Sequence, residues 1–434
     1  MSWNVFVIGY DDLGKRLFPD FKYVDDYTFY PLLPLDEVVY ARDYHFDQLV
    51  EDAVKEINDA KVAPDAIVGY WDFPTTALAP VLRQRFNLPG PSLEAVLKCE
   101  HKYWSRVEQA KVVPECVPDF QAVDPFADDP VAQIHIDYPF WLKPIKAHSS
   151  HLGFMIENAD QLRKVIPTIR EKIGSFARPF EEVMAYADPP EEIAKVTGYH
   201  CIAEQVISQG EQCTIEGYVH NGEVHMAGLI DTVRDEKHRS VLMQYHYPSR
   251  LPQKVQERIL ALSTQVMRQF GFDDSPFNIE YYYHADNDTL RLLEVNSRLS
   301  RSHAAIFQLV DGAPHFQVMV DVALGIETRM PKGEGRYNIA AKKMIRVFEK
   351  DGIVKRVPNE EEIRKVEETF PGTKVNLEVK EGDRLSDLLF QDSFSYELAV
   401  VFIGGEDKAQ LDDNIDRCLE MLPFDIDPID EETS

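Results

Sequence analysis

Short apolar runs separated by polar turns set the rhythm of the chain. The first run, Val5 to Gly9, predicts a strand; a glycine-containing turn, a helical stretch from Phe46 to Ala60 and a second apolar run in "PDAIVGYWD" follow it. Strands alternating with helices predict a parallel α/β layer. The stretch "FNLPGPSLEAVLKCEHKYWSRVEQAKVVPECVPDF" predicts loop, helix, loop, with Pro89 and Pro91 at its start and Pro114 and Pro118 at its end, and a domain boundary near residue 98. From "YPFWLKP" onward strands follow in quick succession: Phe140 to Lys143, His200 to Ile207, Gln212 to His220 and Glu223 to Asp231. Asn221-Gly222 between the last two is a strong hairpin signal. Apolar residues at Val255, Ile259, Leu262, Val266 and Phe270 keep close to a 3.6-residue repeat and predict a helix from Gln253 to Phe270. Two apolar runs around Asp286-Asn287-Asp288 predict a second hairpin. After "PKGEGRYN" a last α/β-like segment holds strands near Ala340 to Phe348 and Leu398 to Ile403 and a closing helix from Lys408 to Leu422.

The second hairpin carries the most informative chemistry. In "LRLLEVNSRLSRSH", Glu294, Asn296 and Arg298 recur at every second residue, so their side chains leave one face of a strand. A loop at Asp286 to Asp288 sets Glu280 opposite Glu294, with Asn296 two residues beyond. Two adjacent carboxylates repel, and one takes up a proton unless a cation intervenes. A hard dication resolves the conflict, because Mg²⁺ takes oxygen ligands from one or two carboxylates and completes its shell with water and phosphate. An exposed sheet face, with Asn296 opening a turn, is the other reading. Near the N-terminus, "GYDDLG" lacks the middle glycine of a dinucleotide fingerprint and does not support nucleotide binding there.

"LRLLEVNSRLSRSH" resembles the ATP-grasp signature, in which Glu, Asn and Arg alternate at the end of a strand, and "FNIEYYY" resembles its upstream metal-binding strand. "FWLKPIKAHSSHLGF" is similar to the strand and loop whose lysine touches nucleotide phosphates, here Lys143. "CIAEQVISQGEQCTIEGYVHNGEV" resembles the adenine hinge and the antiparallel sheet after it, and "CEHKYWSR" the helix that supplies an earlier lysine, here Lys102. These pieces stand in family order across roughly residues 98 to 330. The resemblance implies an ATP-grasp fold of the α/β (α+β) class. It divides the chain into a Rossmann-like N-terminal domain (1–98), an ATP-grasp domain (99–330, with a lid at about 143–207) and a small C-terminal α/β domain (331–434). It further implies ATP as cosubstrate, with Mg²⁺ or Mn²⁺ on Glu280, Glu294 and Asn296. Glu204, Val206 and Ile207 would frame the adenine, and Glu211 would bind ribose. Only Gly153 survives of the usual glycine-rich phosphate loop, so Ser149 and Ser150 would supply donors in its place. Lys143, a lysine ending an aromatic strand before proline, is costly to bury unpaired, which favours a phosphate role. For Lys102 and Arg106, four apart, a solvated basic helix face is the competing reading.

The reaction implied is activation of a carboxylate as an acyl phosphate and its capture by an amine. Arg298 would hold the carboxylate or the developing oxyanion, and Arg301 and His303 continue the same polar segment. "DTVRDEKHRS", Asp231 to Ser240, is expected as a loop at the acceptor end, either contacting substrate through Arg234 and His238 or simply solvated. "FEKDGIVKRV" and "SYELAVVFIGGED" resemble the closing domain of amino-acid ligases and of the biotin carboxylase branch. Three readings stand: an ADP-forming carboxylate-amine ligase, favoured because no biotin-attachment sequence is present; a biotin-carboxylase-like enzyme; and a non-catalytic nucleotide-binding protein. With 74 acidic against 46 basic residues the formal charge is -28, which repels nucleic acid and anionic membranes and leaves small molecules as the expected partners. A homodimer is the assembly common among such relatives. The five cysteines, Cys99, Cys116, Cys201, Cys213 and Cys418, form no CxxC pair and read as reduced core thiols. No apolar run approaches membrane length, and the N-terminus lacks a basic leader, so a cytoplasmic location is expected.

Overall fold

A computed structural model describes residues 2–41, 44–147, 152–348, 350–388, 392 and 394–429. Its strands, in chain order, are β1 Trp3–Ile8, β2 Tyr27–Leu32, β3 Ala66–Val68, β4 Phe120–Val123, β5 Phe140–Pro144, β6 Phe154–Ile156, β7 Cys201–Gln205, β8 Glu211–His220, β9 Glu223–Arg234, β10 Leu242–Tyr247, β11 Ser275–His284, β12 Thr289–Asn296, β13 Ile339–Phe348, β14 Gly352–Arg356, β15 Lys374–Leu377, β16 Ser395–Gly405 and β17 Asp425–Pro428.

The N-terminal layer is a three-stranded parallel sheet in the order β2-β1-β3. Val5 to Ile8 and Ala66 to Val68 are all buried, as expected of parallel strands covered on both faces. The helix Phe46–Asp59 lays Phe46, Leu49, Val50, Ala53 and Ile57 against the layer. That core extends beyond the N-terminal segment: Phe180, Val183, Ile193 and Ile202 from the expected lid region belong to the same cluster. Glu182 strengthens the junction by accepting the Phe46 backbone N–H at 2.8 Å, at the start of the helix.

The stretch expected as one helix is two, Leu93–Glu100 and Lys102–Val112. His101 breaks it with an extended ψ and caps the second helix, its Nδ1 accepting the Trp104 N–H at 3.1 Å. The break puts Lys102 on the first helical position. Helices Ala159–Lys172 and Gly174–Met184 interrupt the run of strands expected here; Leu162, Ile166, Ile169, Ala177, Phe180 and Val183 keep a helical repeat although Pro167 and Pro179 lie inside the helices. They flank a four-stranded antiparallel sheet, β4-β7-β5-β6.

The largest element is an eight-stranded sheet, β12-β11-β8-β9-β10-β13-β16-β15. The C-terminal strands β13, β16 and β15 therefore extend the central sheet through the β10–β13 pairing instead of forming a sheet of their own. The expected loop Asp231 to Ser240 needs correction: β9 continues to Arg234, and the chain turns back at 235–241 into β10. The helix Gln253–Phe270 spans the expected residues and covers one face of the sheet with Val255, Ile259, Val266 and Phe270. All five cysteines are buried and unpaired. Among the described residues no helix is long and apolar enough to cross a membrane.

Candidate active site

Register gives the large sheet a dry face and a polar face. Cys213, Ile215, Ile279, Tyr281 and Leu292 enter the core under the long helix. On the other face Asn278 stands opposite Glu216, Glu280 opposite Thr214 and Tyr282 opposite Gln212. The same row continues through Thr232, Tyr245 and Lys342 on β9, β10 and β13. Residues directly opposite share a face, so a polar stripe crosses the sheet.

Glu280 and Glu294 are direct cross-strand partners, with Asn278 and Asn296 the next pair on that face. The expected pairing is present, but by a different route. The turn comprises four residues, 285–288, and His284 pairs with Thr289, a register that alone would set Glu280 against Leu293. A bulge at Leu293 takes up the extra residue. Leu290 and Leu292 point into the core, so strict alternation would bury Glu294 beside them; the bulge turns Glu294 and Asn296 to the polar face. Burial, then the charge on Glu294, pushes the Glu280 carboxyl up to about 7. Burial also opposes the charge on Glu294, but the ammonium groups of Lys102, Lys143 and Lys146 overcome it and hold that carboxyl at about 2.

Lys102 Nζ lies 3.0 Å from Glu294 Oε1 and donates to the Ala147 carbonyl at 2.9 Å. Lys143 Nζ lies 2.6 Å from Glu204 Oε2, while Arg106 Nε meets Glu204 Oε1 at 2.6 Å. The remaining Arg106 nitrogens donate to the Leu292 and Leu293 carbonyls at 2.9 and 2.8 Å. Arg106 is thus no solvated surface cation. It is buried, and it ties its helix to β7 and to the bulge of β12. Against two cations, burial fails to raise Glu204, which stays at about 2. Among the described residues no three His, Cys, Asp or Glu side chains gather as a metal cluster. Two opposed carboxylates, one with a raised proton affinity, and an amide beside them nevertheless fit a hard dication that takes its remaining oxygens from phosphate and water.

A family model described as an ATP-grasp domain matches residues 136–304. The chain carries an ATP-grasp domain. No curated protein matches the sequence. Among solved structures, the L-amino acid ligase from Bacillus licheniformis is similar at TM-score 0.68 and 16% identity, covering 98% of each chain. Biotin carboxylase from Campylobacter jejuni, solved as a β,γ-ATP complex, aligns at TM-score 0.63 and 15% identity over 98% of this chain and 92% of that one. Carboxyaminoimidazole ribonucleotide synthase from Aspergillus clavatus, complexed with ATP, aligns at 0.63 and 14% over 97% and 98%. At these identities the likeness is one of fold, and it spans all segments of the chain.

Lys102, Lys143, Glu204, Glu280, Glu294 and Asn296 come together, all but Lys102 within the matched residues 136–304. Val206 and Ile207 follow β7 in the segment joining the two antiparallel sheets, and exposed Glu211 opens β8. Ser149 and Ser150 lie outside the described residues. Arg234 belongs to the cluster through an intermediary: its Nε donates to Gln212 Oε1 at 2.6 Å, and Gln212 Nε2 donates to Glu280 Oε2 at 2.8 Å. His238 stacks on Phe394 and Phe348 of the C-terminal segment, with ring centroids 4.5 and 6.0 Å away. Arg298 meets Asp72 of the N-terminal layer at 2.6 Å, and Arg301 meets Asp11 at 2.6 Å.

Three groups escaped sequence reasoning. Lys146 is buried and paired with Glu100, which also accepts from Ser297 Oγ at 3.2 Å. Glu216 is fully buried, accepting from Asn278 Nδ2 at 2.7 Å and the Ser300 N–H at 3.1 Å and paired with His303 Nδ1 at 2.6 Å. Asn296 in turn donates to Asn278 at 3.2 Å, so Glu216 braces both the end of β12 and the turn after it. The third is Lys342. A lysine in "KPIK", a glutamate in an apolar strand and a lysine in "AAKKM" are the signals available, and none names a partner distant in sequence.

Proposed function

We propose that this protein is an ADP-forming ligase that activates a small carboxylate with ATP and joins it to an amine. The observation that carries the reading is the Glu280–Glu294 pair on the polar face, bordered on one side by Lys102, Lys143 and Lys146 and followed along the chain by Arg298. Lys102 and Lys143 would neutralise the nucleotide's phosphates, with the segment after β7, Glu204 to Ile207, along the base and Glu211 at the ribose. Mg²⁺ bound by Glu280, Glu294 and Asn296 would supply charge neutralisation at the terminal phosphates. Arg298, released from Asp72, would orient the substrate carboxylate, one of whose oxygens attacks the terminal phosphorus as ADP leaves. The amine nitrogen then attacks the acyl carbon, phosphate departs, and the amine loses a proton to give the amide. Arg234, backed by Gln212, would stabilise charge at the acceptor side, with His238 as a further substrate contact.

An assay of ATP turnover across pairs of amino acids, scoring phosphate release and product mass together, tests this. ADP, phosphate and an amide-linked product are expected. Bicarbonate-dependent ADP formation with free biotin, and none with amino acids, would replace the ligase by a carboxylase; ATP binding without turnover on any substrate would leave a nucleotide-binding protein.

A further inference from the structure

Lys342 sits at the centre of β13, directly opposite Tyr245 on one side and Phe402 on the other. It occupies the same polar face as Glu280 and Arg234. Its ammonium lies 5.9 Å from each of the Tyr245 and Phe402 ring centroids and donates to Ser302 Oγ at 3.0 Å. Among the described residues no carboxylate stands within ion-pair distance of it. The nearest acids are otherwise disposed: Glu397 is held by Arg346 at 2.5 Å, and Glu378 acts on Lys342 only at longer range. Burial, aided by the charges of Arg301 and Arg346, lowers its affinity for the proton despite those acids. The three lysines beside the Glu280–Glu294 pair each have a carboxylate: Lys102 has Glu294, Lys143 has Glu204 and Lys146 has Glu100.

A half-buried, desolvated ammonium without a counter-ion is costly, and folds keep such groups where an anion comes to meet them. The position says which anion. Ser302 lies in the turn after Arg298 and accepts from Lys342, which stands on β13, four strands across the sheet from β11, while Lys102 meets Glu294 on β12. Two aromatic rings flank the ammonium, and the nearby acids Glu397 and Glu378 disfavour a dianion more than a monoanion. We propose that Lys342 and Ser302 form an anion subsite that takes the carboxylate of the amine-bearing substrate, which makes that substrate an amino acid. The inference rests on the ligase reading for the role of the ligand, while the subsite itself is a matter of binding. Its chemistry is simple: Lys342 and the Ser302 hydroxyl donate to the carboxylate oxygens, and the amine of the same molecule points toward Arg298 and Arg234.

The test is saturation-transfer NMR with the L-amino acids and with their carboxamides, on the full chain loaded with Mg²⁺ and a non-hydrolysable ATP analogue. At least one amino acid should bind the wild type and its carboxamide should not. Lys342→Met should weaken that amino acid by about 10- to 100-fold, the scale of one charge-assisted hydrogen bond, and Lys342→Arg should restore part of the loss. Lys342→Met should also melt higher than the wild type, because it removes a desolvated charge that no carboxylate offsets. No bound amino acid in the wild type, equal binding by wild type and Lys342→Met, or a lower melting temperature or loss of folding in that variant would each overturn the proposal. Hydroxamate formation from carboxylates and hydroxylamine by the wild type tests the ligase separately. Lys342-dependent binding with no hydroxamate would keep the subsite and remove the ligase.

Discussion

Replacing Glu280 by glutamine keeps the shape and the hydrogen-bonding capacity of the side chain while removing one of two opposed carboxylates. Folding raises the Glu280 carboxyl from an ordinary 4.5 to about 7, through burial and the neighbouring Glu294 charge. At about 1.36 kcal/mol per factor of ten in proton affinity, that difference is roughly 3 kcal/mol. The folded chain binds the proton more tightly than the unfolded chain, so the contribution is fully present below 4.5 and lost as pH rises through about 7. Glu294 has the opposite sign: its carboxyl falls from 4.5 to about 2, so its contribution disappears only as pH drops below 4.5. Between pH 5 and 8, then, Glu280 alone of this pair titrates. With metal and nucleotide removed by chelator and dialysis, urea unfolding should show the wild type losing roughly 3 kcal/mol relative to Glu280→Gln across this interval. Other titrating groups are common to both proteins and cancel in the difference. Adding Mn²⁺ should reverse the order, since the metal displaces the proton and repays the repulsion; calorimetry in buffers of different ionisation enthalpy should record a proton released below pH 7. Parallel stability curves for the two proteins, or Mn²⁺ binding without proton release, would refute the opposed-carboxylate site.

Arg298→Ala should leave Mg-ATP affinity nearly intact by calorimetry while lowering turnover by about 10²- to 10³-fold, the scale of losing one preorganised stabiliser of transition-state charge; abolished ATP binding would contradict the role given to Arg298. Arg106→Ala removes one of the two cations that hold the buried Glu204 carboxylate and leaves two carbonyls of the β12 bulge without their donors, so denaturant unfolding should show a loss of about 3 kcal/mol, whereas an unchanged midpoint would return Arg106 to the surface.

What the sequence by itself determined was local: alternation, helical repeat and turn chemistry act over a few residues. The helix Gln253–Phe270 and the strand starts at Phe140 and Glu223 follow from such patterns. So does the candidacy of Glu294, Asn296 and Arg298, spaced at strand period with Glu280 opposite, although spacing alone left an exposed sheet face equally open and the resemblance to the ATP-grasp signature favoured a metal site. Register was legible only by coincidence of two compensating features. The four-residue turn and the bulge at Leu293 cancel, and both come from packing: Leu290 and Leu292 are drawn into the core, and Arg106 grips the bulge carbonyls from a helix nearly two hundred residues earlier in the chain. Only the tertiary structure decided which acid meets which cation. Lys146 with Glu100, Arg298 with Asp72 and Glu216 with His303 join segments far apart in sequence, where no periodicity reaches. The joining of β13 to β10 is of the same kind, since pairing depends on which sheet edge the preceding helices leave open. Through that pairing Lys342, unremarked in "AAKKM", arrives on the polar face of the central sheet with no carboxylate at ion-pair distance among the described residues.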